Sequence, residues 1–156
     1  MTDTERLQHA LDLAFRFLGH RDRTVAEVRE RLSAERIEPA VVEDAVDELR
    51  HLGYLDDARY AERFAEDRRT IDAWGAERIE RRLLVVGVDP ALIAAALGER
   101  GTGGELEAAL AVLRRRFERP PAHDRDRDRA LGLLVRKGYE LELAYDAVRA
   151  FERDAA

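Results

Sequence analysis

Apolar residues recur every three to four positions along most of the chain, the spacing of one buried face on an α-helix. Leu7, Leu11, Ala14, Phe15 and Leu18 form the first such stripe, Val25, Val28 and Leu32 a second, and Val42, Val46 and Leu49 a third. Polar signals separate the stripes. Thr24 and Glu27 in "TVAE" have the spacing of a capping box, in which the threonine caps the new helix and the glutamate reaches back. Pro39 suits the first turn of the third helix, where its missing N–H costs nothing. The pattern predicts three short helices in the first third of the chain.

The same pattern returns after 51 residues. "VRERLSAERIEPAVVEDAV", from Val28, aligns without a gap on "IERRLLVVGVDPALIAAAL", from Ile79. Leu32 falls on Leu83, Ile37 on Val88, Pro39 on Pro90, Val42 on Ile93 and Val46 on Leu97. A second step of 51 reaches "ALGLLVRKGYELELAYDAV", where Leu134, Tyr139, Ala144 and Val148 take the corresponding places and Leu141 replaces the proline. A repeat at fixed period is the mark of an array of equivalent units. The expected fold is therefore all-α, with three tandem three-helix repeats in an elongated, curved array: 1–52, 53–102 and 103–156. Tyr60 and Phe64, then Ile79 and Leu83, then Ile93 and Leu97 serve the second copy. Leu106, Leu110, Leu113 and Phe117, then Leu134, then Ala144 and Val148 serve the third. "GERGTGG" (98–104), with four glycines, and the proline-broken "ERPPAHDRDRDR" (118–129) read as loose connections.

Asp56 and Asp57, side by side in "LGYLDD", have the look of a catalytic or metal-binding pair. Gly53 just before them is a helix-ending residue, and a carboxylate after such a stop caps the next helix. Capping is the expected role, with Tyr54 and Leu55 covering the junction between copies.

Composition sharpens this picture. Charged residues make up 38% and aromatics 6% of the 156 residues, against roughly 25% charged in an average domain. That is more solvated surface than one compact core would need. The absence of cysteine excludes disulfides and thiolate metal sites. The N-terminus lacks the form of a signal peptide and no apolar run could span a bilayer, so the expected location is cytoplasmic, without membrane association. His9, His20, His51 and His123 lie far apart, with no metal-ligand spacing. Neither a phosphate-binding glycine loop nor an H-E-x-x-H motif is present. The expectation is a protein that is not an enzyme and has no catalytic residues, no cofactor and no metal.

The net charge of −6 argues against a protein that coats DNA by charge alone. Of 27 basic residues only Lys137 is a lysine; arginine's planar fork suits interfaces, although a GC-rich genome would give the same bias. The arginines cluster. Arg68 and Arg69 end one helix. Arg78, Arg81 and Arg82 share a flank of the next. Arg114, Arg115 and Arg116 form a run, and Arg136 with Lys137 precedes Gly138. Either they are a solvated face paired with nearby acids, or they are a partner-binding stripe. Trp74, the lone tryptophan, is open to two readings as well: core packing, or a contact residue.

"RDRTVAEVRERL" (21–32), "LGYLDDARYAERFAEDR" (52–68), "WGAERIERRLLVVGVDPALIAAAL" (74–97) and "LVRKGYELELAYDAV" (134–148) resemble the bacterial RecX regulatory proteins, over about residues 9 to 152. The resemblance implies tandem three-helix repeats and a non-enzymatic modulator that binds in the groove of the RecA–DNA filament, blocking its growth or promoting its disassembly. Recombination, DNA repair and the SOS response would then be its context. The partner it implies is the RecA filament; a monomer, with at most a weak contact to single-stranded DNA, is the expectation for this chain. Relatives usually carry glycine where this chain has Arg36. The competing expectation is a helical DNA-binding module of the helix-turn-helix type. Its third helices, however, carry acids or alanines where a reader of bases carries Arg, Asn or Gln.

Overall fold

The computed structural model describes residues 1–98 and 100–154, and among these the protein is all-α. Among the described residues nine helices follow one another: α1 Asp3–Leu18, α2 Val25–Ala34, α3 Pro39–His51, α4 Asp57–Ile71, α5 Ala76–Val85, α6 Pro90–Gly98, α7 Gly101–Arg116, α8 Asp124–Lys137 and α9 Leu141–Arg153. They form three successive three-helix units.

The helix ends show the period of 51 in backbone geometry. After each second helix the chain turns through a left-handed residue: Arg36 (φ 62°), Gly87 (φ 85°) and Gly138 (φ 98°). The next amide donates back to a helix carbonyl in every copy: Ile37 N to Leu32 O at 3.1 Å, Val88 N to Leu83 O at 3.0 Å and Tyr139 N to Leu134 O at 3.0 Å. Such bonds satisfy carbonyls that a helix end would otherwise leave bare. Leu32, Leu83 and Leu134 are fully buried. Arg36 takes a conformation that suits glycine, and its side chain lies exposed.

The chain packs as two compact units, Met1–Ala61 with Leu83–Ile93, and Glu62–Arg82 with Ala94–Ala156, so the middle copy is divided between them. In the first unit a core gathers Ala10 and Ala14 of α1, Val25, Val28 and Leu32 of α2, Val42, Val46 and Leu49 of α3, and Leu55. Phe15 of the expected stripe stays 37% exposed and meets Tyr54 edge-on at 5.1 Å. Leu55 is buried, but Tyr54, expected to cover the junction, is 57% exposed. In the second unit Leu110 and Leu113, Leu134, and Ala144, Val148 and Phe151 lead a core drawn from α7, α8 and α9, with Tyr139 enclosed among them.

Of the two expected loose connections the first is largely helical, and the second is non-helical over 118–123 and helical from Asp124 onward. Gly98 ends α6, while Gly101, Gly103 and Gly104 lie in the first turn of α7; Glu99 falls outside the described residues. Tertiary ties offset glycine's low helix propensity: Glu105 accepts from Ala76 N at 2.9 Å and pairs with Arg100 at 2.6 Å. Likewise, the run from Asp124 to Arg129 opens α8 rather than continuing a loop. Asp124 and Asp126 sit at the positive end of that helix, and Arg127 pairs with Glu152 of α9 at 2.8 Å.

Candidate functional site

Asp56 and Asp57 are caps, and each caps a different helix. Asp56 accepts from Arg59 N at 3.1 Å at the start of its own α4. Asp57 accepts from Val25 N at 3.0 Å, at the start of α2 in the preceding copy. Asp57 therefore ties successive copies as well as ending a loop. Thr24, the capping-box threonine, accepts from Glu27 N at 3.1 Å and is fully buried. Its hydroxyl proton goes to Val86 O at 2.5 Å. Among the described residues no group of three His, Cys, Asp or Glu could hold a metal ion, and no helix is long and apolar enough to cross a membrane.

The candidate arginines divide into two sets. Several are spent on internal ties, and these converge with Trp74 in the second unit. Trp74 is half-buried, packed edge-on against Phe64 with centroids 6.0 Å apart. The Arg78 guanidinium lies 4.1 Å from the indole centroid and that of Arg68 lies 5.8 Å from it, within cation–π range. Arg78 also donates to Arg136 O at 3.2 Å, and Arg68 pairs with Asp72 at 2.6 Å. Arg69 donates to Leu97 O at 3.1 Å. Lys137 Nζ donates to Asp72 O at 2.8 Å, and the Tyr139 hydroxyl donates to Ala73 O at 2.9 Å. Burial, reinforced by the Glu105 carboxylate, pushes the Tyr139 hydroxyl pKa up to about 12. Arg114, away from this cluster, holds Asp154 at 2.6 Å.

The other set points outward. Arg81, Arg82, Arg115, Arg116 and Arg136 are exposed, and none has an ion-pair partner among the described residues. The three arginines read as one flank of α5 thus differ: Arg78 is a structural tie, while Arg81 and Arg82 face solvent. Some other arginines are neutralised by neighbours. The Arg29–Glu43 contact at 2.8 Å raises the arginine's pKa and lowers the carboxyl's, chiefly through the hydrogen bond between them.

Sequence reasoning missed Arg125 and Arg129, because alternating charge after two prolines reads as a loop. Their spacing with Leu133, every fourth residue, was the available signal of a common helical face. The structure puts both on α8, lining one groove with Arg116 and Arg136.

Comparison with known proteins gives a consistent result. Residues 10–49 match the family model for the first three-helix domain of RecX, and residues 56–97 that for the second. A regulatory protein RecX of Trichlorobacter lovleyi is 35% identical over 147 residues, covering 92% of this chain and 96% of that protein. A regulatory protein RecX of Lactobacillus delbrueckii subsp. bulgaricus is 42% identical over 97 residues, and there the match spans 62% of this chain but only 36% of the relative. The crystal structure of RecX from Lactobacillus salivarius superposes with a TM-score of 0.83 over 96% of this chain and 99% of that one, and at 18% identity it bears on the fold alone.

Proposed function

The chain belongs to the RecX family, and from that membership we propose that it is a non-catalytic regulator of RecA. It binds the recombinase filament assembled on DNA and restrains recombination and RecA-dependent repair, by halting filament growth or by promoting disassembly. The observation that carries this reading is the match over nearly the full length of the Trichlorobacter relative, across all three copies.

Within this reading the outward arginines supply the contact surface. Arg81, Arg82, Arg115, Arg116 and Arg136 are free to meet an acidic protein face or a phosphate backbone. Arg68, Arg69, Trp74, Arg78, Arg114 and Lys137 are engaged in the folded chain and hold that surface in place. The protein acts as a monomer, organised in the copies 1–52, 53–102 and 103–156. Its contact with single-stranded DNA is weak because the chain carries a net charge of −6.

The test is a purified strand-exchange reaction with RecA, single-stranded DNA and ATP. Inhibition is expected at well below one chain per RecA monomer, because a filament end or groove is a shared target. Replacing Arg81 and Arg82 by alanine should lower potency with unchanged helicity. Full strand exchange at equimolar protein would overturn the assignment.

A further inference from the structure

One surface of the second unit combines unneutralised charge with an apolar floor. Arg116 and Phe117 at the end of α7, and Arg125, Arg129, Leu133 and Arg136 along α8, line an open groove of about 590 Å³, with one acid, Asp128, at its side. Next to it, sharing Arg116 and Leu133, lies a smaller pocket of about 200 Å³. Ile71, Ala73 and Val112 supply its apolar walls, Asp72 joins the lining, and Arg115 and Lys137 stand at its rim. Ile71 is 69% exposed although it is a large aliphatic residue.

Two features point to the occupant. The first is charge: Arg115, Arg116, Arg125, Arg129 and Arg136 have no carboxylate at ion-pair distance among the described residues, whereas Arg114 and Arg127 beside them are paired with Asp154 and Glu152. Like charges gathered without acids repel one another, and an anionic partner relieves this. The second is the pocket. It is smaller than the roughly 300–1,000 Å³ of small-molecule sites, has aliphatic walls, and is sized for one side chain. Single-stranded nucleic acid needs ring faces on which bases stack. Phe117 is the one aromatic residue in either lining, and the Arg116 guanidinium already lies 5.8 Å from its centroid.

We propose that this groove binds an acidic polypeptide segment with one large apolar side chain, the apolar residue seated between Ile71 and Leu133 and the carboxylates held by the arginines of α8. From Arg125 to Lys137 the helix rises roughly 18 Å, the reach of about six residues of extended chain. An apolar anchor in a pocket with a charged surround is how a short contact concentrates its binding energy, and forked arginines suit carboxylates. The inference deepens the proposed role and rests on it only for which protein supplies the segment.

The experiment titrates the full chain into two fluorescein-labelled peptides of about six residues, alternating Asp and Glu with leucine at the first or the last position, and reads anisotropy at low salt. Saturable binding by at least one peptide is expected. Replacing that leucine by serine should weaken binding about ten-fold, as should the exposed charge reversals Arg125→Glu and Arg129→Glu together. The same reversals at Arg16 and Arg59, exposed on the first unit and outside the contact surface, should leave it unchanged. Equal binding of the serine peptide, equal loss with the Arg16 and Arg59 reversals, or tighter binding of an oligothymidine of equal charge would each overturn the proposal. Peptide binding by a chain that fails to inhibit RecA would retain the groove and remove the regulatory role; inhibition without peptide binding would do the reverse.

Discussion

The first and second copies meet, and the second and third copies meet, by the same plan carried out with different chemistry. At the first junction the Thr24 hydroxyl donates to Val86 O, and Asp57 caps Val25 N. At the second, 51 residues on, Gly75 N donates to Lys137 O at 2.8 Å and Glu105 caps Ala76 N. At the Thr24 position a side chain thus reaches across the first junction, whereas at the equivalent Gly75 main chain touches main chain. A Cβ on Gly75 would lie 2.5 Å from the carbonyl carbon and oxygen of Gly138, and one on Gly138 would lie 2.2 Å from Arg78 Cβ. The second junction also gains Glu77 N to Gly138 O at 3.0 Å and the Tyr139 hydroxyl bond to Ala73 O. A repeat conserves the docking geometry and leaves the atoms that make it free to vary.

The comparison breaks most sharply at Gly75. Gly75→Val should cost about 3 kcal/mol or more, because the atoms in its way are backbone, and the urea midpoint followed by circular dichroism reads it. A loss below about 1 kcal/mol would show that the junction can part cheaply. Gly138→Ala follows at about 2–3 kcal/mol, from a left-handed φ of 98° added to the clash with Arg78. Its control is Gly53→Ala, also left-handed but with open space around it, which should lose only about 1 kcal/mol.

At the first junction, Thr24→Val removes a helix cap and leaves Val86 O without its donor, which should cost about 2 kcal/mol. Thr24→Ser should recover most of it, since the hydroxyl is what both bonds use. Tyr139→Phe should cost about 1 kcal/mol at neutral pH and carries a signature in alkali. The folded state favours the neutral phenol and raises its pKa from 10.0 to about 12. This contribution is complete below the unfolded value and is lost as pH climbs through that interval. Urea midpoints should therefore fall more from neutral pH to about pH 11 in the parent chain than in the phenylalanine variant. The smallest effect is a gain: Arg36→Gly should stabilise the exposed first turn by about 0.5 kcal/mol, relief of left-handed strain being partly offset by glycine's larger unfolded entropy.

Much of this protein is local and was therefore readable. The capping box at Thr24, the stop at Gly53 and the proline starts at Pro39 and Pro90 act within a few residues, and the 51-residue period exposed the three copies. The arginines were less legible, because a sequence shows that Arg78, Arg81 and Arg82 share a flank but not that Arg78 folds over Trp74 and reaches Arg136. Glycine runs and alternating charge misled for a related reason: α7 and α8 begin where bonds from distant residues, Ala76 N to Glu105 and Arg127 to Glu152, outweigh weak local propensity.

Most helix positions and buried faces, and the number of copies, were thus set by the chain's own periodicity, since backbone hydrogen bonds and amphipathic spacing are short-range. Which carboxylate caps which helix, which glycines must lack a Cβ, and which arginines remain unneutralised around an apolar pocket were decided only in three dimensions. Those outcomes depend on atoms some 30 to 65 residues apart along the chain arriving within hydrogen-bond distance, and no local pattern encodes such a meeting.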